Sequence, residues 1–101
     1  MIVVRDIFHV KFGKAKEATA HLKDGVAIFK SIGFGALGIR ILSEVAGEPY
    51  YTFILETTFE SVAAWEQSHA AVHGSEEWRA WYQKVIPWID SGERKIYTVV
   101  G

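Results

Sequence analysis

The 101-residue chain predicts a single α+β domain, spanning residues 1–101, with the order β-α-β-β-α-β and a four-stranded antiparallel sheet. Apolar, β-branched runs stand at both ends of the chain. A central pair of alternating runs is joined by a tight connection, and stripes of helical spacing lie between the strands. Half of the residues are hydrophobic and 23% are charged, which is enough to bury a core and too apolar for a disordered chain.

Residues 2–12 (IVVRDIFHVKF) read as a long strand that is apolar on both sides, with Ile2, Val4, Phe8, Val10 and Phe12 on one and Val3 and Ile7 on the other. The period then changes. Ala15, Ala18, Leu22, Val26 and Phe29 recur at three and four over residues 14–32, a helical stripe opposed by Lys16, Glu17, Lys23, Asp24 and Lys30. Gly25 inside it costs about 1 kcal/mol relative to alanine and suggests close approach to a strand. Gly33 and Gly35 end the helix.

Residues 36–46 and 50–59 each alternate, and Ala46-Gly47-Glu48-Pro49 joins them as a hairpin. Leu37, Ile39, Ile41, Tyr51, Phe53 and Leu55 are assigned to the helix side. Arg40 and Glu56 then share the opposite side on paired strands. Thr57 and Glu60 have capping-box spacing before a helix over 60–73 that carries Val62, Trp65, His69 and Val72 on one stripe. Ser75, followed by Glu76 and Glu77, caps a helix over 76–87 whose buried side is Trp78, Trp81, Tyr82 and Val85. Ser91-Gly92 reads as a turn and 93–100 as the last strand.

A sheet with helices on one face usually turns a polar face to water. Here that face keeps Leu42, Tyr50 and Ile54, and the first strand is apolar whichever way it faces. Each buried Leu or Ile contributes roughly 1.5–3 kcal/mol, so the expected cover is a second copy of the chain in a two-fold homodimer.

Composition narrows the function. The chain has no cysteine, so disulfides and thiolate chemistry are out. Lys and Arg number 11 against 12 Asp and Glu, which gives no basic face for nucleic acid. No apolar run approaches the ~18 residues of a membrane span. Met1–Asp6 lacks the form of a signal peptide, and a cytoplasmic location is expected. The serines occupy no nucleophile elbow. The G-x-G-x-x-G at Gly33–Gly38 follows a helix and leads into a strand, the reverse of a dinucleotide site. His69 and His73 share a helix face, but Ala70, Ala71 and Val72 separate them and Gly74 ends the helix, so no metal or cofactor is expected.

The candidate bases are His9, Asp6 and Glu56, and the candidate ligand contacts are Arg40, Tyr50, Trp65 and His69. The structural alternative for Arg40 and Glu56 is a cross-strand or interface salt bridge. Trp78 and Trp81 are expected in the core.

The segments VVRDIFHVKFGKAKEATAHL, FILETTFESVAAWE and HGSEEWRAWYQKVIPWIDSGERKIYTVV resemble the dimeric α+β barrel superfamily. Within it the chain is most similar to NIPSNAP-like proteins and antibiotic-biosynthesis-monooxygenase-like domains. The resemblance covers essentially the whole chain and is carried best by E-T-x-F-E-S-x-x-x-W followed by E-W-x-x-W. It implies a homodimer with facing sheets, a dimeric α/β barrel. It also implies a pocket between helices and sheet for a small apolar or aromatic molecule. Some such proteins oxidise polycyclic aromatics without metal or flavin; others cleave haem. Two readings follow. One is a cofactor-independent oxygenase or isomerase acting on an apolar or aromatic substrate; the other is a non-catalytic binding or assembly module of the same fold. The first needs a free base; the second predicts that His9, Asp6 and Glu56 are all neutralised in salt bridges.

Overall fold

The computed structural model describes residues 1–101. The strands are β1 (Ile2–Val10), β2 (Gly38–Ser43), β3 (Thr52–Phe59) and β4 (Ile89–Thr98). The helices are α1 (Ala15–Ile32), α2 (Val62–His73) and α3 (Glu76–Val85), with a 3-10 turn at Ile86–Trp88 around Pro87. The sheet runs β2-β3-β1-β4 with every neighbouring pair antiparallel, the ferredoxin-like arrangement. All three helices lie on one face, which makes a slab of 36 × 35 × 17 Å. No helix is long and apolar enough to cross a membrane.

The register of β1 sorts its side chains. Ile2, Val4, Asp6 and Phe8 oppose Phe59, Thr57, Leu55 and Phe53 beneath the helices. Val3, Arg5, Ile7 and His9 oppose Thr58, Glu56, Ile54 and Thr52 on the open face. The core has two centres on the helix side. Val10, Ala18, Leu22, Phe53, Trp81 and Val85 form one, and Ile2, Val4 and Phe59 form the other. Phe12, predicted to continue the strand, lies beyond its end and is exposed, edge-on to Tyr51.

Gly25 admits a helix, not a strand. A Cβ there would lie 2.5 Å from Cζ2 of Trp81. The indole occupies that gap and its Nε1–H donates to the carbonyl of His21, locking α3 onto α1.

The hairpin connection is longer than predicted and spans residues 44–51. The Glu44 carboxylate accepts the backbone N–H groups of Tyr51 and Thr52 at 2.8 and 3.0 Å. These bonds hold Tyr51 at φ 62°, a left-handed conformation costly for a non-glycine residue.

Ser75 caps α3 as predicted, accepting the Trp78 N–H at 3.2 Å. Ser61, not Thr57, caps α2, accepting the Ala64 N–H at 3.1 Å; Thr57 is buried inside β3. Trp81 and Val85 face inward from α3, while Tyr82 is exposed. Ser91 and Gly92 belong to β4 rather than a turn. Gly92 opposes Phe8.

The open face is less oily than the sequence suggested. Ile7 is buried, Val3, Leu42 and Ile54 are half-buried, and Tyr50 sits in the 44–51 loop. Arg5, His9, Arg40 and Lys95 share the face by register, and long cationic side chains shield apolar neighbours with their stems.

Candidate active site

A cleft of about 860 Å³ opens between the helices and the β1–β4 side of the sheet. Asp6 and Phe8 reach it from β1 and Arg94 from β4. Trp65, His69 and His73 come from α2, and Trp78 and Trp81 from α3. β4 is the edge strand and is exposed nearly throughout, which leaves this side of the cleft accessible.

Helical spacing builds one wall as a ladder of rings. Trp65 lies 5.0 Å from His69 between centroids, His69 3.8 Å from His73, His73 4.8 Å from Trp78, and Trp78 4.5 Å from Trp81. The first two contacts follow from i, i+4 geometry on α2. Ser75 turns the chain so that α3 continues the series. Opposite Asp6 in register, Arg94 donates Nε–H to the Asp6 carboxylate and lays its guanidinium 5.2 Å from the Trp65 centroid.

The imidazoles are tuned toward neutrality. Both are held below the usual value of 6.5, chiefly by partial burial. At His69 the neighbouring His73 and the Arg94 guanidinium push the same way. At His73 the hydrogen bond to the His69 carbonyl opposes the shift. That bond, 3.1 Å from Nδ1 to the carbonyl oxygen, fixes the tautomer. A carbonyl only accepts, so Nδ1 carries the proton and Nε2 keeps a free lone pair.

A depressed imidazole pKa means that the unfolded chain takes the proton first. The associated stability is present above about pH 6.5 and is lost as pH falls through the folded-state values. Thermal melts should therefore move down between pH 7.5 and 5. The His69→Gln, His73→Gln double variant should show a smaller displacement over that window. An equal displacement in the variant would assign the effect to other groups.

The sheet divides the three candidate bases. Asp6 enters the cleft bonded to Arg94. Glu56 lies on the open face, 7% exposed. It accepts from Arg40 Nε at 2.8 Å and Arg5 Nε at 2.9 Å. Burial alone would raise its carboxyl, but the two guanidiniums more than offset this and hold it below the usual 4.5. A carboxylate so stabilised is a poor proton acceptor. His9 is also on the open face, with Nδ1 3.2 Å from Thr52 Oγ1 and Nε2 3.8 Å from the Glu93 carboxylate. Of the three candidate bases only Asp6 therefore reaches the cleft, because β1 sends Asp6 and its odd-numbered neighbours to opposite sides and Glu56 lies opposite Arg5.

Arg40 accompanies Glu56 on the open face, and Tyr50 stands 82% exposed in the 44–51 loop, outside the cleft. Trp65 and His69 line the cleft together. Sequence reasoning missed His73 and Arg94 as cleft residues. The i, i+4 relation to His69 signalled the first. The second requires the β1–β4 register, which no local pattern carries. No group of three or more His, Cys, Asp or Glu side chains is placed to hold a metal ion.

No protein-family model and no curated protein matches the sequence. Solved structures do match. An uncharacterized NIPSNAP domain protein from Burkholderia xenovorans superposes with a TM-score of 0.84 at 13% identity, over 99% of this chain and 95% of that one. A putative antibiotic biosynthesis monooxygenase from Nitrosomonas europaea gives 0.72 at 18% identity over 100% of both chains. This chain has the NIPSNAP fold. SnoaB, a cofactor-independent oxygenase from Streptomyces nogalater, shares it with a TM-score of 0.74 at 12% identity, over 99% of this chain and 93% of that one. Identities this low establish the NIPSNAP-type architecture and leave the chemistry to be argued from the cleft.

Proposed function

We propose that the chain takes a flat, apolar or aromatic molecule into the helix–sheet cleft and removes a proton from it at His73 Nε2. This would be the chemical step of a cofactor-independent oxygenase or isomerase. The observation that carries the reading is the ladder of rings built around a neutral imidazole whose Nδ1 is already occupied. A planar ligand gains stacking contacts along that wall. An imidazole with one free nitrogen accepts a proton near neutral pH. The Arg94 guanidinium beside Trp65 favours the anion left behind.

For oxygenation, dioxygen is the co-substrate. A ring methylene becomes a carbonyl, and the second oxygen atom leaves as water with the two hydrogens (CH2 + O2 → C=O + H2O). For isomerisation the proton returns at another carbon. The shared fold with SnoaB supports the first of these. The proposal places the activity in the cytoplasm. It also places a second copy of the chain across the open face, over the half-buried strip of Val3, Leu42 and Ile54.

One observation favours the second reading, a non-catalytic module. Asp6, Glu56 and His9 all have partners, namely Arg94, the Arg5 and Arg40 pair, and Thr52 with Glu93. Oxygen uptake and product analysis with hydroxylated naphthalenes and anthrones separate the two. Turnover supports the enzyme; binding without turnover supports the module. Native mass spectrometry of the same sample reads the subunit count and any co-purified ligand, and a monomer at micromolar concentration would remove the dimer from the proposal.

A further inference from the structure

We propose that the stacked His69–His73 pair makes the ligand preference of the cleft depend on pH. Uncharged aromatics are preferred while both rings are neutral, and aromatic anions such as carboxylates or sulfonates are preferred once a proton resides on the pair. The inference rests on the cleft being the ligand site argued above.

The two rings lie 3.8 Å apart between centroids on successive turns of α2. Two imidazolium charges at that distance repel strongly, so the pair takes up one proton well before a second. His73 is the better holder. Its Nδ1–H keeps the bond to the His69 carbonyl in either state, and it is the last residue of α2, where the helix carbonyls favour a cation.

What decides the ligand is the charge around the pair. β1 presents Asp6, which is bonded to Arg94 of β4. β4 also presents Asp90 and Glu93, which lie 3.8 Å from Lys11 and His9 respectively. α3 presents Arg79, which has no acidic partner. α1 contributes only Leu22 and Phe29 to the lining. Glu66, one turn before His69 on α2, is exposed and outside the lining. Asp6 and Asp90 each have a permanent cation beside them, and Glu93, opposite Ile7 in register, turns its carboxylate toward His9 on the open face, so no free acid is held against the pair. The counter-charge has to come from the ligand. An uncharged ring gains no charge–charge attraction from the same proton, so the balance moves toward the anion.

Two probes with the same ring system test this: 2-naphthol, uncharged between pH 5.5 and 7.5, and naphthalene-2-sulfonate, anionic throughout. Calorimetric Kd values should show the preference moving toward the sulfonate by about tenfold from pH 7.5 to 5.5 in the wild-type chain. The His69→Gln, His73→Gln double variant should show no such movement. His21→Gln, away from the cleft beside Trp88, should behave as wild type. A constant preference in the wild type, or an equal movement in the double variant, overturns the proposal. Failure of both probes to bind at pH 7.5 counts against the cleft as an aromatic site. The Cε1–H NMR resonances test the pair directly: two independent single-step titrations of His69 and His73 overturn the proposal, and a coupled two-step titration supports the shared proton on which it rests.

Discussion

Glutamine in place of His73 should reduce turnover of a cleft substrate by about 10²- to 10⁴-fold while changing its binding far less. The amide preserves the size of the side chain and an N–H able to donate to the His69 carbonyl, the bond that orients the ring. What it cannot supply is a nitrogen lone pair that takes up a proton. The loss should therefore appear in kcat with KM nearly constant. In the wild type, kcat/KM should fall on the acid side as His73 becomes protonated, at a pH below the ordinary imidazole value of 6.5. That limb should vanish in the variant. Loss confined to KM would make His73 part of the binding wall and place the proton transfer elsewhere.

The largest effect on stability is expected at Trp81. The indole is 6% exposed, fills the space left by Gly25, and donates its N–H to the His21 carbonyl. Trp81→Ala should cost about 3–5 kcal/mol, a large share of the roughly 5–15 kcal/mol typical of a domain this size. The thermal midpoint should fall by on the order of 15 °C or more. Trp81→Phe keeps most of the packing and gives up only the indole N–H bond, since the His21 carbonyl lies within α1 and keeps its helical partner, for about 0.5–1.5 kcal/mol. Urea unfolding of the two variants separates packing from hydrogen bonding. A cost below about 1 kcal/mol for the alanine variant would contradict the α1–α3 contact as the anchor of this part of the core.

The sequence announced most of the architecture because its periods are clean where one face is polar. β2 and β3 alternate, so Arg40 and Glu56 could be paired on the side away from the helices before any coordinates were known. Ser75 with two following acids marked its helix without ambiguity. β1 gave no phase because it is apolar on both faces, and phase is what separates Asp6 from His9 and Glu56. Gly25 showed that something approaches closely but not what, and the structure supplies an indole. The ladder was half legible. Trp65, His69 and His73 follow from spacing on one helix, whereas their meeting with Trp78 and Arg94 depends on how α3 and β4 pack.

β4 ends the sheet with one hydrogen-bonding edge unpaired along ten residues, while β2, at the other margin, is only six residues long. A bare edge of that length is a template for fibrillar growth. Asp90, Glu93, Arg94 and Lys95 interrupt it with both signs of charge. A foreign strand must match that order of charges before it can dock, so stray polymerisation is discouraged while a segment of the right sequence is still admitted.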